Sequence, residues 1–349
     1  MKELFEDIIA EPAPSCHNGE IIGYTRQGRP LLAYRFGRGR YLVSLIAGCH
    51  ADEPVGPRLL NHLVGYLEKL GPDLPLFENF QWWIVPHANP DGEQANRQWC
   101  TGRDQVMDLV QYLTHFKREL PGDDMEFGFP RDEDDIEARP ENRSIAQWWK
   151  KADRPFHLHI SLHGIAFAAG PWFLIEPAWA LRCEELKAVC GRAVKEMGYR
   201  LHDVDRQGEK GFRRLEKGFC TRPDSRAMAR YFLDLKDEST AGKFRPSSME
   251  AIRTLGGNPL TLVTEMPLFI LPKVGETLGP PDPEALRWKE RIEGWKAAII
   301  RGEEVEESIR REAARHGLKV MPVRDQMQLQ WILIAAGVQQ VQLEASLKG

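Results

Sequence analysis

Four positions in a chain of 349 residues have the side chains that hold and use a metal. They are His50 and Glu53 in "GCHADE", His163 in "SLHG" and Glu265 in "VTEMP". Two imidazoles and a carboxylate make a catalytic zinc shell, with three protein ligands and a fourth position open to water. A short spacer lets His50 and Glu53 reach a common point from one corner, and the remote His163 closes the site. Zinc held there would polarise a carbonyl and bring the pKa of its water to about 7. Glu265 would take the water's proton and pass it to a leaving nitrogen. Alone, the first pair has a plainer explanation, with His50 starting a helix and Glu53 serving its N-terminal dipole. The order of the four residues and their common placement at strand ends favour the metal.

Such a site needs a scaffold that gathers distant residues. Short β-rich runs alternate with helical patterns, which predicts an α/β fold. Strands are expected at 30–37, 40–47, 80–86, 156–163, 171–176 and 260–266. His50, the turn "HANPDG", His163 and Glu265 all stand at the ends of these runs, and ligands of open α/β sheets bind beyond the carboxyl ends of strands. Leu59, Leu63, Leu67 and Leu70 recur at helical spacing, with Gly71-Pro72 as the stop. A further helix is expected over 178–197. The acidic, turn-rich segment 102–140 is an excursion over the surface, either a lid or a solvated loop. After "LGPPDP" at 278–283 the pattern turns helical. The chain thus divides into an α/β unit at 1–275 and a helical extension at 276–349, packed on that unit or on a partner in a homo-oligomer.

Composition narrows the function classes. A hydrophobic content of 42% supports a sizeable core, and a net charge of −4 gives no global reason to bind nucleic acid or a membrane surface. The acids Glu3, Glu6 and Asp7 interrupt what would be the apolar part of a signal peptide, and no run approaches a membrane span. Six cysteines without paired spacing suit a cytoplasmic protein with reduced thiols.

With these residues in order, the sequence resembles the carboxypeptidase A-like zinc metallopeptidases over roughly residues 20–270. The resemblance rests on His50, Glu53, His163 and Glu265, on "NPDG" at 89–92, on the lead-in "IGYTRQGRPLLAYRFG" at 22–37, and on "ENR" at 141–143. It implies a mixed twisted β-sheet flanked by helices, one Zn2+ per chain, and hydrolysis of a C-terminal peptide bond with Glu265 as base. Asn142 and Arg143 would bind the substrate's free carboxylate, Arg143 through its planar fork. Arg97, or failing that Arg103, would hold the oxyanion. The substrate would be a peptide or small amide with a free carboxylate.

Three departures stand out. The acid that the family often carries two residues before its Asn is Pro140 here, so a ligand histidine lacks an assigned partner. The substrate-flanking tyrosine has no counterpart between Phe232 and Glu265, and Tyr231 lies upstream. The C-terminal tail is longer and more helical than the family needs. A specificity pocket is expected from 242–259, where Glu250 would favour a basic end and Arg245 or Arg253 an acidic one. His157, His159, His87 and Cys49 read as core or supporting residues, as do the pairs Trp82-Trp83 and Trp148-Trp149. Two other readings remain: a zinc-dependent deacylase of N-acyl amino acids, and a non-catalytic binding protein on the same fold.

Overall fold

The structure, a computed structural model, describes residues 2–11, 19–69, 79–100, 107–203, 205–279 and 282–347. The expected helix stop at Gly71-Pro72 and the fallback Arg103 lie outside these residues. The strands are β1 (Glu20–Tyr24), β2 (Pro30–Phe36), β3 (Tyr41–Ala47), β4 (Phe80–Val85), β5 (Leu158–Ala168), β6 (Trp172–Ile175), β7 (Arg214–Glu216), β8 (Phe219–Thr221), β9 (Leu260–Ile270) and β10 (Lys319–Val320). They form one sheet in the order β1-β2-β4-β3-β5-β9-β6-β8-β7, with β10 on the end of β9. The centre β4-β3-β5-β9 is parallel, and β2 on β4 and β6 on β9 are antiparallel. The sheet is therefore mixed.

Strand period 2 sorts the side chains onto two unlike faces. One face carries Val43, Leu45, Leu158, Ile160, Leu162, Leu260, Leu262, Phe173 and Ile175, all in the main hydrophobic core. The helices α1 (Lys2–Ala10), α2 (Val55–Lys69), α7 (Glu184–Glu196) and α13 (Val323–Ser346) add buried residues to that core. The other face is polar at its centre, with Ser44, His159, Ser161, His163 and Thr261 all buried there. Apolar clusters flank this polar strip, one under α6 (Pro140–Trp149) and α10 (Ser248–Thr254) and a small one at Trp172, Leu174, Cys220 and Val263. Buried polar groups cost free energy unless partnered, so a polar strip between two apolar clusters marks where a site is built.

The C-terminal helix is more than an appendage. On α13, Gly337 lets the helix close on the sheet, since a Cβ there would stand 3.0 Å from Leu262 Cδ1. The buried Gln330 donates from Nε2 to the backbone carbonyl of His163 at 3.3 Å and to Thr264 Oγ1 at 3.3 Å. Thr264 Oγ1 also accepts the His163 backbone N–H at 3.1 Å. Two side chains on the apolar side thus fix the backbone of a residue that faces the polar side.

The expected strands 30–37, 40–47, 80–86 and 171–176 appear with their ends within a residue or two. The remaining two run further than expected, to Ala168 and Ile270. The reason is mutual pairing: β5 and β9 stay in register from Leu158↔Leu260 to Ala168↔Ile270, while β3 stops at Ala47↔Leu162. His163 is the first β5 residue beyond the end of β3.

Candidate metal centre

The corner after β3 is set by Gly48. Its φ is +68°, and a Cβ there would meet the His87 ring at 2.6 Å, so glycine is required on both counts. The chain turns, the Glu53 N–H reaches back to the His50 carbonyl at 3.4 Å, and α2 begins at Val55. His50 and Glu53 are thereby turned toward the flank of β5 that β3 has vacated.

Three predicted ligands converge there. Glu53 Oε1 lies 2.6 Å from His50 Nδ1, and Glu53 Oε2 lies 2.9 Å from His163 Nδ1. The two Nδ1 atoms face each other 3.1 Å apart. One ligand atom from each residue falls within 4.8 Å of the others. Burial opposes the charge on Glu53, yet the imidazoles of His50 and His163 hold its carboxyl well below the usual range. Burial and Arg118 oppose protonation of His50, yet Glu53 and Asp124 outweigh them and carry its pKa up to about 10. An ionised carboxylate and two imidazole nitrogens around one point fit a zinc ion in donor type and number, the ion displacing the protons that the imidazoles otherwise hold.

Glu265 stands directly opposite His163 in the β5–β9 register. Burial raises its pKa to about 7, with the Glu53 carboxylate adding to the rise. A carboxyl poised there can exchange a proton near neutrality.

Both predicted ligand histidines have carboxylate partners that the sequence leaves unassigned. Asp124 Oδ1 lies 3.4 Å from His50 Nε2, and Glu126 Oε2 lies 3.2 Å from His163 Nε2. Asp124 thus stands beside one predicted ligand histidine and Glu126 beside the other. The signal was present in "DDMEF": an acid followed two positions later by a polar residue, within the excursion read as a lid or loop.

The lead-in and the "NPDG" turn interlock. Asn89 caps α3 (Pro90–Ala95) by accepting the Gly92 N–H at 3.0 Å. Asp91 accepts the Thr25 hydroxyl at 2.8 Å and the Gln27 N–H at 3.1 Å.

Other predicted residues go elsewhere. Arg97 is exposed on the short helix α4 (Arg97–Cys100), with Nη1 3.5 Å from Gln94 Oε1. Asn142 is buried on α6 and donates to the Met125 carbonyl at 2.8 Å, which ties down the segment carrying Asp124 and Glu126. Arg143 lines a cavity of about 620 Å³ with Arg131, Glu133, Lys150 and Pro246, none of which touches the metal group. The helical twist of α6 explains the split, since adjacent positions point about 100° apart. In the specificity segment, Glu250 is used in the cap of α10 and by Ser225, Arg245 pairs with Asp135, and Arg253 pairs with Glu176.

A cation does reach the metal group. Arg118, between α5 (Leu109–His115) and α6, donates from Nη1 to Asp52 at 3.1 Å and to Glu53 at 3.2 Å. It lines a cavity of about 460 Å³ together with Ala51, Asn89, Glu119 and Arg139. Its proximity to Glu265 adds to the raising of its own pKa, after Glu53, Asp52 and Asp124 and against burial.

A second group of possible donors, Cys49, Glu126 and His163, shares His163 through its other nitrogen. Burial pushes the Cys49 thiol up to about 11, and Glu126 is already bound by Arg222 and Ser248. The chemistry therefore favours the first group.

Known proteins resemble this chain in sequence and in fold. Residues 4–176 match the family model described as zinc carboxypeptidase. Mouse carboxypeptidase M is 27% identical over 180 residues, covering 48% of this chain and 38% of that protein. Zinc carboxypeptidase A 1 of Drosophila melanogaster is 32% identical over 91 residues, 22% of this chain and 21% of that protein. The chain's matches thus span less than half the length of these curated relatives. Among solved structures, bovine thrombin-activatable fibrinolysis inhibitor, in complex with tick carboxypeptidase inhibitor, superposes with a TM-score of 0.50 at 12% identity. That likeness covers 98% of this chain and 97% of the other, and it concerns the fold. Among the described residues no helix is long and apolar enough to cross a membrane. With the predicted ligands gathered at the end of β3 and the family model running through β5 and β6, residues 4–176 form a zinc carboxypeptidase family domain.

Proposed function

We propose that the chain is a zinc-dependent hydrolase of the carboxypeptidase type. One observation carries this reading: His50, Glu53 and His163 bring their ligand atoms within 4.8 Å of one another, with Glu265 opposite His163 on the next strand. Zinc bound by these three residues would supply carbonyl polarisation and a water acidified to a pKa of about 7. Glu265 would take a proton from the attacking water as the C–O bond forms and return it to the leaving nitrogen as the C–N bond then breaks. Arg118 supplies the positive charge for the developing oxyanion in place of Arg97. Asp124 orients His50.

The expected substrate is a peptide or small amide with a free carboxylate, entering by the cavity that Arg118 and Arg139 line. A second reading, deacylation of N-acyl amino acids, is favoured by the placement of Asn142 and Arg143 away from the metal group. The same ligands and Glu265 would serve it. The test is hydrolysis of blocked dipeptides and of N-acyl amino acids by zinc-loaded protein, alongside Glu265→Gln. The variant should keep its zinc and lose about 10²–10⁴-fold in turnover; comparable turnover would remove Glu265 from the mechanism.

A further inference from the structure

Behind His163 lies a chain of buried polar groups from five parts of the sequence. Glu126 is 6% exposed and Arg222, just past β8, is 4% exposed. Arg222 Nη2 donates both to Glu126 Oε1 and, at 2.7 Å, to Ser248 Oγ. Ser248 Oγ also lies 3.2 Å from Glu126 Oε1 and 3.1 Å from His159 Nε2. His159 Nδ1 ends the chain 3.1 Å from Ser44 Oγ on β3. Burying a carboxylate and a guanidinium costs several kcal/mol per ion, which their attraction only roughly offsets, so the pair is poorly explained as a source of stability. Its geometry has a better explanation: Glu126 Oε2 faces the one nitrogen of His163 that is turned away from Glu53 and His50.

We propose that Glu126 is a positioning residue for the metal centre. It accepts the Nε2–H of His163, which leaves the Nδ1 lone pair turned toward His50 and Glu53, while Arg222 and Ser248 hold Glu126 in place. Such outer carboxylates fix the tautomer and ring angle of a ligand histidine and raise its basicity. Ser161 Oγ, 2.7 Å from the same Nε2, is the competing partner and serves as the control. This proposal rests on the zinc reading given above.

The test measures zinc affinity by competition with a chromogenic chelator in four proteins: wild type, Glu126→Gln, Ser161→Ala and the double variant Glu126→Leu/Arg222→Met. The double variant removes both buried charges together and so leaves neither unpaired. Thermal melting of the metal-free proteins checks that each is folded, and the visible spectrum of the cobalt-loaded forms reports ligand geometry. The double variant should bind zinc about 10–100-fold more weakly with an altered cobalt spectrum. Glu126→Gln, which keeps an acceptor, should lose less, and Ser161→Ala should lose less than the double variant. Unchanged zinc affinity and cobalt spectrum in a folded double variant would overturn the role of Glu126 and leave the zinc reading standing. A Ser161→Ala loss that equals or exceeds that of the double variant would assign the role to Ser161 instead. A wild type that binds no zinc would overturn both.

Discussion

Replacing Arg118 by Met separates the two arginines that could serve the oxyanion. Arg118 Nη1 is 3.2 Å from Glu53 Oε1, and its side chain is 40% exposed. Removing one preorganised oxyanion donor costs about 10²–10³ in kcat, or about 2.7–4 kcal/mol. Solvent screening at this exposure places the expectation at the lower end, a loss of about 100-fold. Arg97 is exposed and bonded to Gln94 on its own short stretch of chain, so Arg97→Met should stay within about threefold of wild type. Because Arg118 also neutralises Asp52 and Glu53, zinc content must be measured in each variant, and Arg118→Lys shows how much a point charge restores. The assay is the initial rate on a blocked dipeptide at saturating zinc. Retention of more than a third of wild-type kcat by fully zinc-loaded Arg118→Met, or an equal loss in Arg97→Met, would refute the assignment.

Two further predictions concern pH. Glu265 must be ionised to act as base, and its pKa is raised to about 7 by burial and Glu53. A bound zinc ion favours the carboxylate, so kcat/KM should rise with pH along an acid limb between 4.5 and about 7; a profile flat down to pH 4 would contradict it. His159 is buried and neutral, and burial, with Arg222 nearby, lowers its pKa to about 3 from 6.5. The unfolded chain therefore binds the extra proton between these values. The stability it contributes is fully present above pH 6.5 and is lost as pH falls toward 3, by about 1.4 kcal/mol per pH unit. Urea unfolding of wild type and His159→Asn between pH 6 and 4 should show the variant's slope shallower by about that amount.

Much of the fold and half of the site were legible in the sequence, for identifiable reasons. Buried parallel strands such as "YLVSLIA" and "LTLVTEM" are apolar runs bounded by turns, and the predicted ligands stand at or just past the place where neighbouring pairing ends. Strand parity puts His163 and Glu265 on one face, and the end of β3 leaves room beside them for His50 and Glu53. The arginines were harder to read. Whether Arg97, Arg118 or Arg143 reaches the metal group depends on helix rotation and on the path of the segment between α5 and α6, where residues 117–139 form no long regular element. Asn142 and Arg143 match a motif in spelling, but α6 turns one toward Met125 and the other toward a separate cavity. The role of the C-terminal helix was illegible for another reason: "LQWILIAAG" announces burial but not against what. Only the packed structure brings Gln330 to the His163 carbonyl.

The central claim is the metal. Zinc measured by mass spectrometry on purified wild type, His50→Ala and His163→Ala tests it most directly. One zinc per wild-type chain, lost in both folded variants, is the predicted result. Absence of zinc from wild type after incubation with the ion, or full retention in both variants, would contradict it.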